Sequence, residues 1–372
     1  MRTVRRLLYR DIVASVFFVA LAFLSLFFFI DLVEKLDNVG RAGRTTGVAV
    51  LAALLELPGH FYELMPIAVL IGTIYSLARL AQSSEFTILR TGGLGPGRAL
   101  SLLAVLGVVF AAITFVVGDY VVPVAEREAV AVKTRAAGGL RVGGRTGAWL
   151  KEKRVTPEGD RSYSINLAGT TRDGRLRGIR IFAFDNDGRL YERIAAASGS
   201  VAADGTWTLA EAELTRWPDA RGSKPDTGIV EQRLPELLWP STLTPEVVAA
   251  AVLPQQTMTT AELWRYSVHL SDQAQAAQSY EILFWKKALY PLACLVMMAL
   301  ALPFAYLHAR AGSVSLKVFG GIMLGIGFVL LNNLAGHVGL LRNWTPWIAA
   351  STPSLLFLML SLGAFAWLVR YR

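Results

Sequence analysis

Residues 12–30, IVASVFFVALAFLSLFFFI, run from Ile12 to Ile30 without a charged side chain. A helix needs about 20 apolar residues to cross roughly 30 Å of hydrocarbon, so this stretch places the chain in a membrane. Working outward, the same test finds uncharged runs from Leu64 to Ala78, Ala99 to Gly118, Ala288 to Leu307, Val318 to Gly336 and Asn343 to Val369. The second run is short, but uncharged sequence also fills Thr45 to Leu55, so one long helix interrupted at Pro58 and Pro66 is expected there. The expected fold class is an α+β membrane protein with six transmembrane helices, three on each side of a polar insert. The sequence divides into residues 1–124 (spans one to three), 125–258 (the inserted domain) and 259–372 (an interfacial helix and spans four to six).

Hydrophobic residues make up 53% of the chain and charged residues only 17%, against about 25% charged in soluble domains. From Glu126 to Glu281 there are 20 basic and 20 acidic residues, so the remaining 17 basic and 8 acidic residues hold the whole formal charge of +9. A nucleic-acid partner is excluded as the explanation of that charge, because the excess lies beside the apolar runs and not on the soluble insert. Lys and Arg are enriched in short cytoplasmic segments. Arg2, Arg5, Arg6 and Arg10 precede span one, Arg79, Arg90 and Arg98 lie between spans two and three, Arg310 and Lys317 between four and five, and Arg370 and Arg372 follow six. Both termini are therefore expected in the cytoplasm and the insert outside. The first run is too long for a signal peptide and no A-x-A-like site leads out of it, so it reads as an uncleaved anchor. The single cysteine, Cys294, lies within span four and reads as packing.

In the insert the continuous apolar runs give way to period-two alternation, the mark of half-buried strands. Tyr163, Ile165 and Leu167 alternate with Ser164 and Asn166, and Ile179 to Phe184 is a strand closed by Asp185-Asn186-Asp187-Gly188. A second turn at Ala203-Asp204-Gly205 precedes Trp207 and Leu209, so the expectation is an antiparallel β domain. Between Thr259 and Gln278 Leu263, Tyr266 and Leu270 recur at helical spacing behind Thr260 as the expected cap. That helix is expected at the outer interface, with Trp264, Trp285, Trp344 and Trp347 in the aromatic belt.

No Gly-x-x-x-x-Gly-Lys-Ser/Thr loop, Gly-x-Ser-x-Gly elbow or His-Glu-x-x-His helix occurs, so ATP-driven work has to come from a partner. No histidine pair among His60, His269, His308 and His337 has metal-ligand spacing, and no metal or cofactor is expected in this chain. Glu56, His60 and Glu63 share one helix face as a possible proton relay, although Pro58 and the outer location favour simple contact with water. Gly321 and Gly325 form a small-x-x-x-small pair in span five, with Asn332 and Asn333 near its outer end; packing within the chain and a subunit interface or movable gate are equally open. The cytoplasmic segment Leu80 to Gly93 contains a short amphipathic helix. Ser83 or Ser84 caps it, Glu85 sits in its first turn, Phe86 and Leu89 give an apolar face beside Arg90, and Gly92 and Gly93 end it. At about two turns it is too short to be stable alone, so either a membrane surface or a partner groove holds it.

At this segment the chain resembles the lipopolysaccharide export permease family of the LptF/LptG type. The resemblance covers nearly the whole length. It rests on Leu80 to Gly93, on the strand phrase Leu176 to Phe184, and on Tyr280 to Phe304 with Trp285-Lys286-Lys287 and Tyr290-Pro291-Leu292; the LptG type fits better than the LptF type. The resemblance implies a non-catalytic permease paired with a paralogous six-span permease of the LptF type. A cytoplasmic ATPase dimer would bind ATP and magnesium, and a single-span periplasmic protein of the LptC type would be associated. Together they would extract lipopolysaccharide from the outer leaflet of the bacterial inner membrane. The insert would be a periplasmic β-jellyroll with the acyl chains in the groove between its sheets, which makes Ile165, Ile179, Ile181 and Phe182 groove candidates. Spans one and five would form lateral gates, with Phe27, Ile30, Gly321, Gly325 and Asn332 as candidates. Residues 83–93 would be the coupling helix, with Ser84, Glu85, Phe86, Leu89 and Arg90 in the ATPase groove. Family members carry lysines at the outer end of span one where this chain has Asp31, Asp37 and Asn38. Lys35, Arg41, Arg44 and Lys286 are therefore headgroup candidates by proximity. The same features also admit a membrane scaffold that transmits force within an ATP-driven complex, or a membrane-embedded enzyme using Glu56, His60 and Glu63.

Overall fold

The computed structural model describes residues 2–37, 39, 45–83, 95–136, 147–156, 159–170, 175–202, 204–217, 228–252, 255–272, 277–306 and 314–370. In chain order the elements are α1 (Arg2–Leu36), α2 (Thr46–Gln82), α3 (Pro96–Val116), a π-turn (Val117–Val121), α4 (Val122–Ala136), strands β1 (Ala148–Thr156), β2 (Gly159–Thr170), β3 (Leu176–Phe184), β4 (Leu190–Val201), β5 (Trp207–Arg216) and β6 (Val230–Trp239), then α5 (Pro245–Val252), α6 (Thr260–Asp272), α7 (Gln278–Leu289), α8 (Leu292–Tyr306), α9 (Val314–Leu341) and α10 (Pro346–Arg370). The chain forms two compact units, residues 1–132 with 281–372, and residues 133–280.

In the helical unit α2 is the central element, packed against α1, α8 and α9. Ile12, Val69, Leu70, Ile74, Leu77 and Met298 are each almost fully buried around it. It runs unbroken through Pro58 and Pro66, where the sequence reading expected interruptions. Span three is longer than its uncharged run, because the helix continues through the π-turn into α4. Gly118 in that turn lies under the Tyr62 ring, and a Cβ there would overlap it. Single π-turns inside helices recur at functional sites. The fourth run is broken: α7 and α8 meet at Tyr290 and Pro291 with a bend of 50°. The Tyr290 hydroxyl donates across this break to the Glu63 carbonyl of α2, 2.5 Å away. Among the described residues five helices are long and apolar enough to cross a membrane, and the bent pair makes a sixth when counted as one span.

In the second unit the six strands form one antiparallel sheet in sequence order, β1 to β6. The turns follow the sequence: Gly188 and Gly205 take φ of +73° and +84°, where only glycine is free of Cβ strain. Asp185 Oδ1 accepts from the backbone of Asp187 and Arg189, and Asp204 Oδ1 from that of Thr206. The inner face is apolar, with Leu150, Tyr163, Ile165, Leu167, Ile179, Ile181, Ile194, Trp207, Leu209 and Leu214 all buried. Each of the larger side chains contributes about 1.5–3 kcal/mol by leaving water.

That sheet is folded over on itself. Register pairing skips one position on each strand from β2 to β6 along a single transverse line: Ala168 opposite Gly178, Gly178 opposite Ala197, Ala197 opposite Glu211, and Glu211 opposite Pro235. Left-handed residues mark alternate strands on this line, Gly178 at φ +60° and Glu211 at φ +52°, and Gly147 just before β1 continues it at φ +75°. In a flat sheet Tyr163 and Trp239, on opposite sides of the line and four strands apart, would be roughly 30 Å or more from each other at about 3.3 Å per residue and 4.8 Å per strand. Their ring centroids are 5.6 Å apart. The two halves of the bent strands therefore face each other as two layers, where the sequence reading expected two sheets of a jellyroll.

Helix α6 is capped one residue before the expected position. Thr259 Oγ1 accepts from the Glu262 backbone N–H at 3.2 Å and Glu262 Oε2 from that of Thr259 at 2.8 Å, a reciprocal capping box.

Candidate functional site

Two arrangements bring together the residues singled out from the sequence, one in each unit. At the ends of α1 and α2 that are joined by residues 37–45, the two helices are clasped by two polar side-chain pairs. Lys35 Nζ lies 2.5 Å from Glu56 Oε2, and His60 Nε2 lies 2.7 Å from Asp31 Oδ2. Phe27 stacks on the His60 ring at 5.0 Å, while Ile30 is exposed. Glu56 and His60 are thus each engaged by α1, so two of the three residues of the relay face expected on α2 are held in separate cross-helix pairs. Asp31, which the sequence reading treated as a missing lysine, is the partner of His60.

On α9, Gly321 and Gly325 turn inward against α2. A Cβ on Gly321 would stand 2.7 Å from Ile74 Cδ1, and one on Gly325 2.9 Å from Ile67 Cγ2. Both glycines thus pack within the chain against α2. A different face of α9 carries exposed Phe319, Met323, Ile326, Leu330 and Leu334. Asn332 is half-buried. Nearer the end of α9, Lys286 of α7 rests on Gly336, where a Cβ would approach its Nζ to 2.5 Å. Arg41 and Arg44, and the coupling residues Ser84, Glu85, Phe86, Leu89 and Arg90, lie outside the described residues.

In the sheet unit, Ile165, Ile179 and Ile181 all lie on the inner face with at most 1% exposure. Phe182 does not. Neighbouring residues of a strand face opposite sides, and Phe182 is half-buried on the outer face, stacked on Trp149 at 6.1 Å. The inner face of β1 reads Ala148, Leu150, Glu152, Arg154, apolar and then ionic. The Glu152 side chain has no solvent exposure. Its carboxylate accepts from Ser241 Oγ at 2.7 Å, Thr242 N at 2.8 Å, Thr242 Oγ1 at 3.0 Å and Arg154 Nε at 2.6 Å. The Arg154 guanidinium lies 4.4 Å from both the Tyr163 and Trp239 ring centroids. Burial alone would raise the Glu152 carboxyl, but the bonds from Arg154, Thr242 and Ser241 outweigh it and hold it below the ordinary carboxylate value. Sequence reasoning missed this cluster. The available signal was a charged residue at an inward phase of the strand alternation.

The sequence profile of the lipopolysaccharide export system permeases LptF/LptG matches residues 6–370. The chain is 26% identical over 363 residues to the lipopolysaccharide export system permease protein LptG of Haemophilus influenzae, covering 96% of each chain. It is 27% identical over 338 residues to the LptG of Escherichia coli K12, covering 90% of this chain and 89% of that one. A single profile running through both flanks of apolar helices and the sheet between them matches the whole architecture, and the chain belongs to the LptF/LptG family of lipopolysaccharide export system permeases.

Proposed function

We propose that this chain is the membrane permease subunit of an ATP-driven exporter that extracts lipopolysaccharide from the outer leaflet of the bacterial inner membrane and passes it to a periplasmic bridge. The observation that carries the reading is the family match across both units, in a chain whose sheet unit folds over an apolar interior. Six spans, with α7 and α8 as one bent span, keep both termini in the cytoplasm and the folded sheet in the periplasm as a jellyroll-like acyl-chain carrier. The substrate's acyl chains lie against Ile165, Ile179 and Ile181 once the layers part. The exposed faces of α1 and α9 form lateral gates with a paralogous LptF-type permease. A cytoplasmic ATPase dimer with ATP and magnesium supplies the energy through residues 83–93, and a single-span LptC-type protein completes the assembly. Lys35, Arg41, Arg44 and Lys286 supply positive charge for the lipid's phosphates.

Co-purification tests this reading. The tagged chain, gently solubilised, is expected to bring down a P-loop ATPase and a second six-span subunit, and the complex to release lipopolysaccharide from vesicles only with ATP. A chain that purifies alone and acts on a lipid without an ATPase would overturn it.

A further inference from the structure

Three observations in the sheet unit concern motion. First, the interior of the fold is filled by its own side chains: Ile165, Leu167, Trp207 and Leu209 have no exposure. A lipid chain cannot occupy that space until the layers separate. Second, the line along which they would separate is built in. All five strand pairs either skip a position on it or end beside it, with Ala148 paired to Leu167 as the last pair of the first two strands. A cleft of about 670 Å³ follows it, lined by Gly178, Ala197, Glu211, Arg233 and Pro235. Bending there breaks no register pair. Third, the opposite margin is closed by a few polar contacts. Glu152 on β1 binds Ser241 and Thr242 just beyond β6, although β1 and β6 are the two edges of the sheet.

We propose that Glu152 is a latch and the transverse line a hinge: the carboxylate holds the two layers shut over the acyl-chain groove, and lipid enters only when Ser241 and Thr242 let go of it. The inference rests on the carrier reading above and adds the residues that decide when the carrier is open. Apolar contacts alone would hold the layers together without regard to orientation. A buried carboxylate is different, because it is stable only with all its donors in place and therefore favours fully shut or fully open states over intermediate ones. The location is suited to release, since Thr242 is exposed and its donors sit in a connection between β6 and α5, outside the sheet.

The test uses the full chain in cell membranes, with a photoreactive amino acid at Ile181 to record lipid in the groove. A Glu152→Cys, Thr242→Cys double variant removes the latch, and a short, reductant-cleavable bismaleimide replaces it covalently. The chain's own Cys294 is replaced by alanine in all forms, so that only the two introduced thiols react. Unbridged, the double variant is expected to crosslink lipid up to about tenfold more than the chain with Glu152 intact, the shift expected from losing a charge-assisted hydrogen-bond set. Bridged, it is expected to lose crosslinking to background and to regain it on reduction. Regain on reduction separates latching from misfolding, since a misfolded domain would not recover. A bridged chain that still crosslinks lipid overturns the latch while leaving the carrier reading intact. Absence of lipid crosslinks in every form, with Glu152 present or absent, overturns the carrier reading itself. As a second variant, Ser241→Ala with Thr242→Val keeps Glu152 but removes its two hydroxyl donors, and is expected to raise crosslinking toward that of the unbridged form; crosslinking equal to the unmodified chain counts against the latch.

Discussion

Glu152 shows how much of a fold can hang on one ionisable side chain. Its carboxyl is held below its ordinary value of 4.5, so the ionised form is the one that the fold favours. The stabilisation is fully present above that ordinary value and is lost as pH falls through the lowered one. Protection against hydrogen exchange at the β1 and β6 margins, taken relative to the intrinsic rate at each pH, is therefore expected to fall below about pH 4.5, and in a Glu152→Gln variant to be low already at neutral pH. An acid limb that is the same in both would show that other carboxylates set it. The residue was within reach of sequence reading but not read. Alternation from Ala148 through Leu150 points Glu152 inward, yet its partners lie 89 and 90 positions away and belong to no motif. Asp31 was hidden differently: beside an apolar run it looked like a substituted lysine, whereas its charge is used within the chain by His60.

Among the elements, α9 separates two uses of one helix. Its glycines admit α2, with Gly325 so close to Ile67 that even a methyl group would need the neighbour to move. Gly325→Leu is expected to destabilise the purified protein by about 1–3 kcal/mol through overpacking, read as a lower midpoint of thermal unfolding in detergent. Leu330→Ala on the exposed face is expected to leave that midpoint unchanged and to weaken recovery of the second permease instead. Equal loss of stability in both variants would remove the distinction. The small-x-x-x-small spacing was legible in the sequence, but the helix it admits was not, because spacing shows that a close approach is possible and not what approaches. The cap of α6 was misplaced for a related reason. Thr259 and Thr260 are both threonines, and only the three-residue step to Glu262 closes the reciprocal pair at Thr259.

At the level of the whole chain, the layout of apolar runs was legible because a membrane imposes a length on them, and the alternation of the insert because a half-buried strand has a period. The break at Tyr290 and Pro291 and the fold line across the sheet were not. Both are backbone events that neither an apolar run nor an alternation marks: the break falls where the Tyr290 hydroxyl reaches the Glu63 carbonyl of α2, and the fold line where left-handed residues stand in register across alternate strands. Energy transfer belongs to this scale too. Glu85→Ala is expected to reduce ATPase recovery with the tagged chain or to leave hydrolysis uncoupled from lipid release, and undiminished release by that variant would remove the coupling role of residues 83–93. The up-and-down strand order has a further consequence, for biogenesis. Every strand pairs with the one made just before it, so contacts are local in sequence and assembly is correspondingly fast. The sheet can be complete, latch included, once residue 242 is available, while residues 281–372 are still being synthesised. The second set of membrane helices is then added to a chain whose soluble part has already passed its most aggregation-prone stage.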